Sequence, residues 1–148
     1  MLELMKKYHE QLQEIERAYD AADEQNDEAG KVAAREAYHA WKDKAIAEGE
    51  DFWRVLQMYQ DAKKRGNEYI DLHDNIWDKD VPALIERLRK AGIEKFTFSS
   101  TWSSTVQTAW LFLQNGCKVE GMAEINGTTT AFMSDEYERV PAYVFSIT

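Results

Sequence analysis

A chain of 148 residues with 18 Lys and Arg against 27 Asp and Glu, three His and one Cys fits one domain, or one domain with an appendage. It cannot close an internal disulfide. The formal net charge of −9 argues against non-specific nucleic-acid binding and against attachment to anionic membranes, because both need clustered Lys and Arg. No apolar run approaches the roughly 18 residues of a membrane span. The start, MLELMKKYHEQLQE, lacks the pattern of a signal peptide, so the expected location is the cytoplasm.

The first half reads as helix. Met1, Met5, Tyr8, Leu12, Ile15, Tyr19 and Ala22 recur at alternating spacings of four and three, the seam of a helix packed lengthwise on a partner. The acidic stretch DEQNDEAG interrupts it, with Asn26 or Asp27 placed to cap a second helix. A second seam runs Ala34, Tyr38, Trp41, Ala45, Glu48, Phe52, Val55, Tyr59, Ala62. Its register carries past Gly49, which predicts one helix from about residue 28 to 65, kinked at that glycine and on the order of 55 Å long. The two helices form an antiparallel hairpin. Phe52, Trp53, Leu56 and Tyr59 overhang it and need cover, either from the C-terminal half or from a second copy in a homodimer.

The pattern changes at Gly66-Asn67. A short strand over residues 69–72 is followed by DKDVPALIERLRKAG, a helix with Asp80 at its cap, Pro82 in its first turn and Gly92 just past its end. EKFTFSS alternates as a strand. A polar bend of serines then leads into a helix on which Trp102, Val106, Ala109, Trp110 and Leu113 share a face. CKVEGMAEI reads as the next strand, residues 126–138 as a loop, and PAYVFSI as the last strand. The first three strands are expected to run parallel, with the last antiparallel on an edge. The fold class is therefore α+β: a long antiparallel helical hairpin, residues 1–66, packed on a small α/β domain, residues 67–148, with a four-stranded mixed sheet.

Two clusters could carry chemistry. Ser99, Ser100, Thr101, Ser103 and Ser104 leave a strand where open α/β sheets bind ligands, and the next helix would aim its free N–H groups at the same spot. Asp71 and His73, in DLHDNIWDKD with Asp74, Asp78 and Asp80, would emerge beside them and suit a cation or a general-base pair. Asp71, His73, Ser99, Ser100 and Trp102 thus make a candidate anion or ligand pocket. The bland alternatives are a helix cap with redundant hydroxyls and a solvated acidic turn. No phosphate-loop, zinc or EF-hand spacing is present. Ser100 lacks a nucleophile elbow, His9 and His39 lie on the hairpin, and Cys117 reads as a small buried thiol. The sequence points to no catalytic set, no metal and no cofactor.

Surface recognition is the other possibility. Trp41, Trp102 and Trp110 fall on apolar faces and read as core, whereas Trp53 and Trp77 fit a seam less well and are candidates for an exposed interface. Asp20, Asp23, Glu24 and Asp27 belong to an acidic rib that could imitate nucleic-acid phosphates or simply solvate a helix. Residues 1–66 carry 15 acids and 11 bases, net −4, and residues 67–148 carry 12 and seven, net −5. Acidity is therefore not concentrated in the hairpin.

The run IEKFTFSSTWSSTVQTAWLFLQNGCKVEGMAEIN, with its FTFSSTWSS, AWLF and NGCKVEG segments, resembles a domain of small proteins from gut Firmicutes, many of them carried by conjugative elements or phages. The resemblance covers residues 69–147. It implies no catalytic residues. It does imply a counter-defence inhibitor of the anti-CRISPR kind, whose partner is a host nuclease or its nucleoprotein complex. The expected function is thus non-catalytic protein binding through Asp20, Asp23, Glu24, Asp27, Trp53 and Trp77. A small-ligand or phosphate-binding α/β domain or enzyme is the alternative.

Overall fold

The computed structural model describes residues 1–73 and 76–148. The architecture is α+β: helices α1 (Leu2–Glu24), α2 (Glu28–Ala47) and α3 (Glu50–Arg65), then β1 (Ile70–Leu72), α4 (Val81–Lys90), β2 (Lys95–Phe98), α5 (Thr105–Gln114), β3 (Cys117–Thr130) and β4 (Tyr137–Ile147). The chain divides into two compact units, Met1–Leu56 and Gln57–Thr148, so the division falls inside α3.

In the first unit the expected hairpin forms. Asp27 caps α2 by accepting from the Gly30 N–H at 3.0 Å. Tyr8 donates to Glu48 Oε1 at 2.9 Å while Lys31 meets Asp23 at 3.4 Å at the opposite end, which makes α1 and α2 antiparallel. Trp41 Nε1–H donates to the Tyr8 carbonyl at 2.9 Å, satisfying the indole inside the seam. Burial, reinforced by Glu48, pushes the Tyr8 phenol up to about 12.

The single helix expected from 28 to 65 is two helices. Gly49 sits at φ +123°, a backbone region that side chains exclude, and the chain turns there instead of kinking. Glu48, the polar break in the seam, belongs to this turn. As a result Phe52 returns onto Tyr8 with ring centroids 5.4 Å apart, and Trp53 meets Trp41 edge-on at 6.1 Å. The cover that these two residues need comes from the hairpin itself. A Cβ at Gly49 would meet nothing within 4 Å, so the cost of a side chain there is a backbone cost alone. Gly49→Ala is expected to lower unfolding stability by about 1–3 kcal/mol, read as a shift in the urea midpoint.

In the second unit the sheet order is β1-β2-β4-β3. β1 pairs parallel with β2, while β4 pairs antiparallel with β2 on one side and with β3 on the other. The first three strands therefore point the same way, as expected, but β3 does not touch β2. The last strand is central and not at an edge. Phe145 explains this: it is fully buried and stacks on Phe96 at 5.3 Å, which requires neighbours on both sides. Pro141 is tolerated because it opposes Glu124 alone, beyond the end of β2. The segment expected as a loop over 126–138 is mostly strand. β3 continues through three β-branched threonines to Thr130, and the turn closes with the Ala131 N–H donating to the Glu136 carbonyl at 2.9 Å. On one sheet face Ile70, Leu72, Phe96 and Phe98 are buried, and Phe112 of α5 wedges among Phe96, Phe98 and Phe145 with centroid distances of 5.1–5.2 Å.

Candidate functional site

The polar centre of the second unit lies under the carboxyl ends of β1 and β2. Asp71, whose neighbours Ile70 and Leu72 face the aromatic core, points the other way by strand alternation. Its Oδ1 accepts from Thr97 Oγ1 at 2.8 Å and its Oδ2 from Ser99 Oγ at 2.8 Å. The Arg65 guanidinium faces Oδ2 at 3.5 Å, with both side chains buried. Arg65 also donates to Asp61 at 2.6 Å and to the Asn126 carbonyl at 3.1 Å. Asn67 and Asn126 complete the group: the Asn67 amide donates to the Asn126 carbonyl at 2.9 Å, and the Asn126 N–H returns a bond to Asn67 Oδ1 at 2.9 Å. This set joins the end of α3 to β1, β2 and β3. Burial raises the Asp71 carboxyl above its ordinary value, against the lowering effects of Thr97, Ser99, Arg65 and His73.

Above it lies a cavity of about 300 Å³ lined by His73, Ser99, Ser100, Thr101, Gly127, Thr128, Thr129, Glu138, Val140 and Pro141. The structure thus brings together four of the five residues of the sequence-derived pocket: Asp71 through its bond to Ser99, and His73, Ser99 and Ser100 directly. Asp74 lies outside the described residues. Trp102 stands elsewhere, against Trp77. The expected anion character does not follow from the lining, which holds one carboxylate, one imidazole and no Lys or Arg among the described residues. Helix α5 begins only at Thr105, and Ser100 Oγ accepts the Trp102 N–H at 3.2 Å, closing its own turn. Asp71 is committed to Thr97, Ser99 and Arg65, a pattern suited to fastening strand ends. What the cavity offers a guest is hydroxyl groups, an imidazole and a carboxylate. Among the described residues no three His, Cys, Asp or Glu side chains gather as a metal ion would require. Cys117 is buried, and burial pushes its thiol up to about 11, far from a reactive thiolate.

The residues expected to bind a partner separate. Asp27 is the α2 cap and Asp23 pairs with Lys31, so both have local structural work. Asp20 lines a groove of about 330 Å³ with Tyr19, Arg35 and Tyr38, and Glu24 is exposed. Trp53 packs on Trp41. Trp77 belongs to the second unit, is 65% exposed, and meets Trp102 at 6.1 Å.

Trp102 and Trp110, expected in the core, are exposed. The α5 face that is buried carries Thr108 and Phe112. The Thr108 hydroxyl can go inside because it donates to Asp78 Oδ1 at 2.9 Å, with the Ser104 carbonyl as a second partner at 3.1 Å. Val106, 79% exposed, Trp110, 57% exposed, and Leu113 then line the outer side of the helix, spaced four and three residues apart. Sequence pattern points the helix the wrong way round, and so misses this surface. A usable signal is present all the same: residues 99–117 contain no charged residue, in a chain of which 30% is charged.

Residues 54–147 match a family described as Domain of unknown function (DUF7698). The chain belongs to this family. No curated protein and no solved structure matches it. The DUF7698 segment contains the Asp71 group, the cavity and the exposed aromatic face, so all three lie in the family domain. Among the described residues no helix is long and apolar enough to cross a membrane.

Arg65 is the residue on which the Asp71 group turns. Removing one partner of a buried ion pair costs about 3–5 kcal/mol, so Arg65→Met is expected to lower stability by that amount at neutral pH. A raised carboxyl favours the fold below its ordinary value and loses that contribution as pH rises through the raised one. The deficit of Arg65→Met should therefore shrink in acidic buffer, and Asp71→Asn added to it should restore part of the loss. Urea titrations across pH read both effects.

Proposed function

We propose that the protein is a non-catalytic, cytoplasmic protein-binding module whose contact surface is the aromatic face of the DUF7698 domain. One observation carries the reading: Trp77, Trp102, Val106, Trp110 and Leu113 are all solvent-exposed, three of them in register on a helix without a charged residue. Large exposed apolar patches mark contact sites, and Trp is over-represented among the residues that dominate binding energy.

The finer proposal comes from the resemblance to mobile-element proteins, namely inhibition of a host defence nuclease. A partner of that kind presents a basic nucleic-acid groove, and the exposed carboxylates of Asp20 and Glu24 would steer it. A second reading is favoured by the polar cavity at the strand ends, which suits a small neutral or cationic hydrogen-bonding ligand.

A photo-cross-linking side chain placed at Val106 tests the lead. It should give protein adducts in cells, while the same group at the exposed Glu3 gives none, and Trp110→Glu should remove the Val106 adducts. Adducts indifferent to Trp110→Glu would sink the reading. For the finer proposal, Asp20→Lys with Glu24→Lys should slow association with a purified CRISPR effector several-fold at low salt.

A further inference from the structure

We infer that the occupant of the aromatic face is a second copy of this chain, which would make the protein a two-fold dimer through α5. The inference rests on the proposed role of this face as a protein contact, and narrows the partner. Area supports it. Taking up to about 250 Å² for a Trp side chain, the five exposed residues offer on the order of 600 Å² on each copy. A pair would bury about 1,200 Å², the lower edge of specific interfaces.

Charge supports it independently. Each chain carries −9, so two copies repel over most approaches. Residues 99–117 form the one long stretch of sequence without a charge, and it contains α5. Along α5 itself two copies bury no carboxylate and no ammonium group, so the desolvation penalty of a charged contact does not arise there; only Trp77, beside Asp78 and Lys79, brings charge near the contact. An isologous contact also asks the surface to match itself. An uncharged apolar line, Val106, Trp110 and Leu113, with the amides of Gln107 and Gln114 exposed on the same helix, can do so by packing α5 alongside its two-fold copy. The alternative dimer contact that the sequence allows, through Phe52 and Tyr59, offers a partner little of Phe52, which is only 3% exposed, and a half-buried Tyr59.

Sedimentation equilibrium of the full chain tests this. The expected mass is twice the 17.2 kDa of one chain, and the dimer should tighten several-fold as ionic strength rises from about 0.05 to about 0.5 M, because salt screens the repulsion between like-charged copies. Trp110→Glu and, separately, Val106→Glu should each give a monomer with an unchanged circular dichroism spectrum. The Val106 side chain is so exposed that this variant serves if the tryptophan substitution perturbs folding. A wild-type monomer throughout, or a dimer that survives both substitutions, would overturn the inference. Adducts of Val106 with a different protein, formed by a monomeric chain, would leave the broader binding reading standing while removing this one.

Discussion

The buried pairing of Arg65 with Asp71 is the constraint around which the DUF7698 domain is arranged. Two charges removed from water must be matched by each other and by hydrogen bonds, or the fold loses several kcal/mol. Here Thr97, Ser99, Asp61 and the Asn126 carbonyl supply those bonds, drawn from α3, from β2 and its exit, and from β3. Satisfying one carboxylate therefore sets the end of α3, the register of β1 on β2 and the position of β3. A strand of only three residues, Ile70–Leu72, would pair weakly on propensity alone. Its central residue is held by the buried polar group while its two neighbours enter the aromatic core.

The same logic places the cavity. Ser99 is drawn inward by Asp71, so the next turn bends over the strand ends toward Gly127 and the threonines of β3. At Gly127 a Cβ would come within 3.2–3.4 Å of Val140 and the Glu138 carbonyl, so a larger residue requires those neighbours to give by a few tenths of an ångström. The cavity lining is mixed: serine and threonine hydroxyls, His73 and Glu138 stand beside Val140 and Pro141.

On α5 the balance runs the other way. Its inner face uses Phe112 and a satisfied threonine, leaving tryptophans outside. Exposing so much apolar surface disfavours the isolated chain in water. That cost is recovered if the surface is covered, which gives the face its functional interest.

Much of the fold is legible in the residues. The α1–α2 seam and the Asp27 cap follow from helical periodicity and local hydrogen bonding, and the strand at 95–98 from alternation of Phe96 and Phe98. The end of α4 at Gly92 is equally plain. These are short-range rules that a sequence states directly. The candidate pocket is legible in part, since Asp71, His73, Ser99 and Ser100 each lie at a strand end. Arg65, Thr97 and Asn126 are not legible as their partners, because they meet only when the sheet closes. The break at Gly49 is half visible. Glycine marks the position, but whether it bends or ends a helix depends on what Phe52 and Trp53 find to pack against.

By itself, then, the sequence determined the α+β class, the helical hairpin, the order of the elements after residue 66 and the absence of an internal disulfide. Only the tertiary structure decided that the last strand is central, that α5 turns its threonine inward and its tryptophans outward, and that an aspartate of β1 is buried against an arginine of α3. The reason is common to all three. A polar side chain may be buried wherever a partner satisfies it, as Asp78 satisfies Thr108 and Arg65 satisfies Asp71. Hydrophobic pattern alone cannot tell where such partners will be.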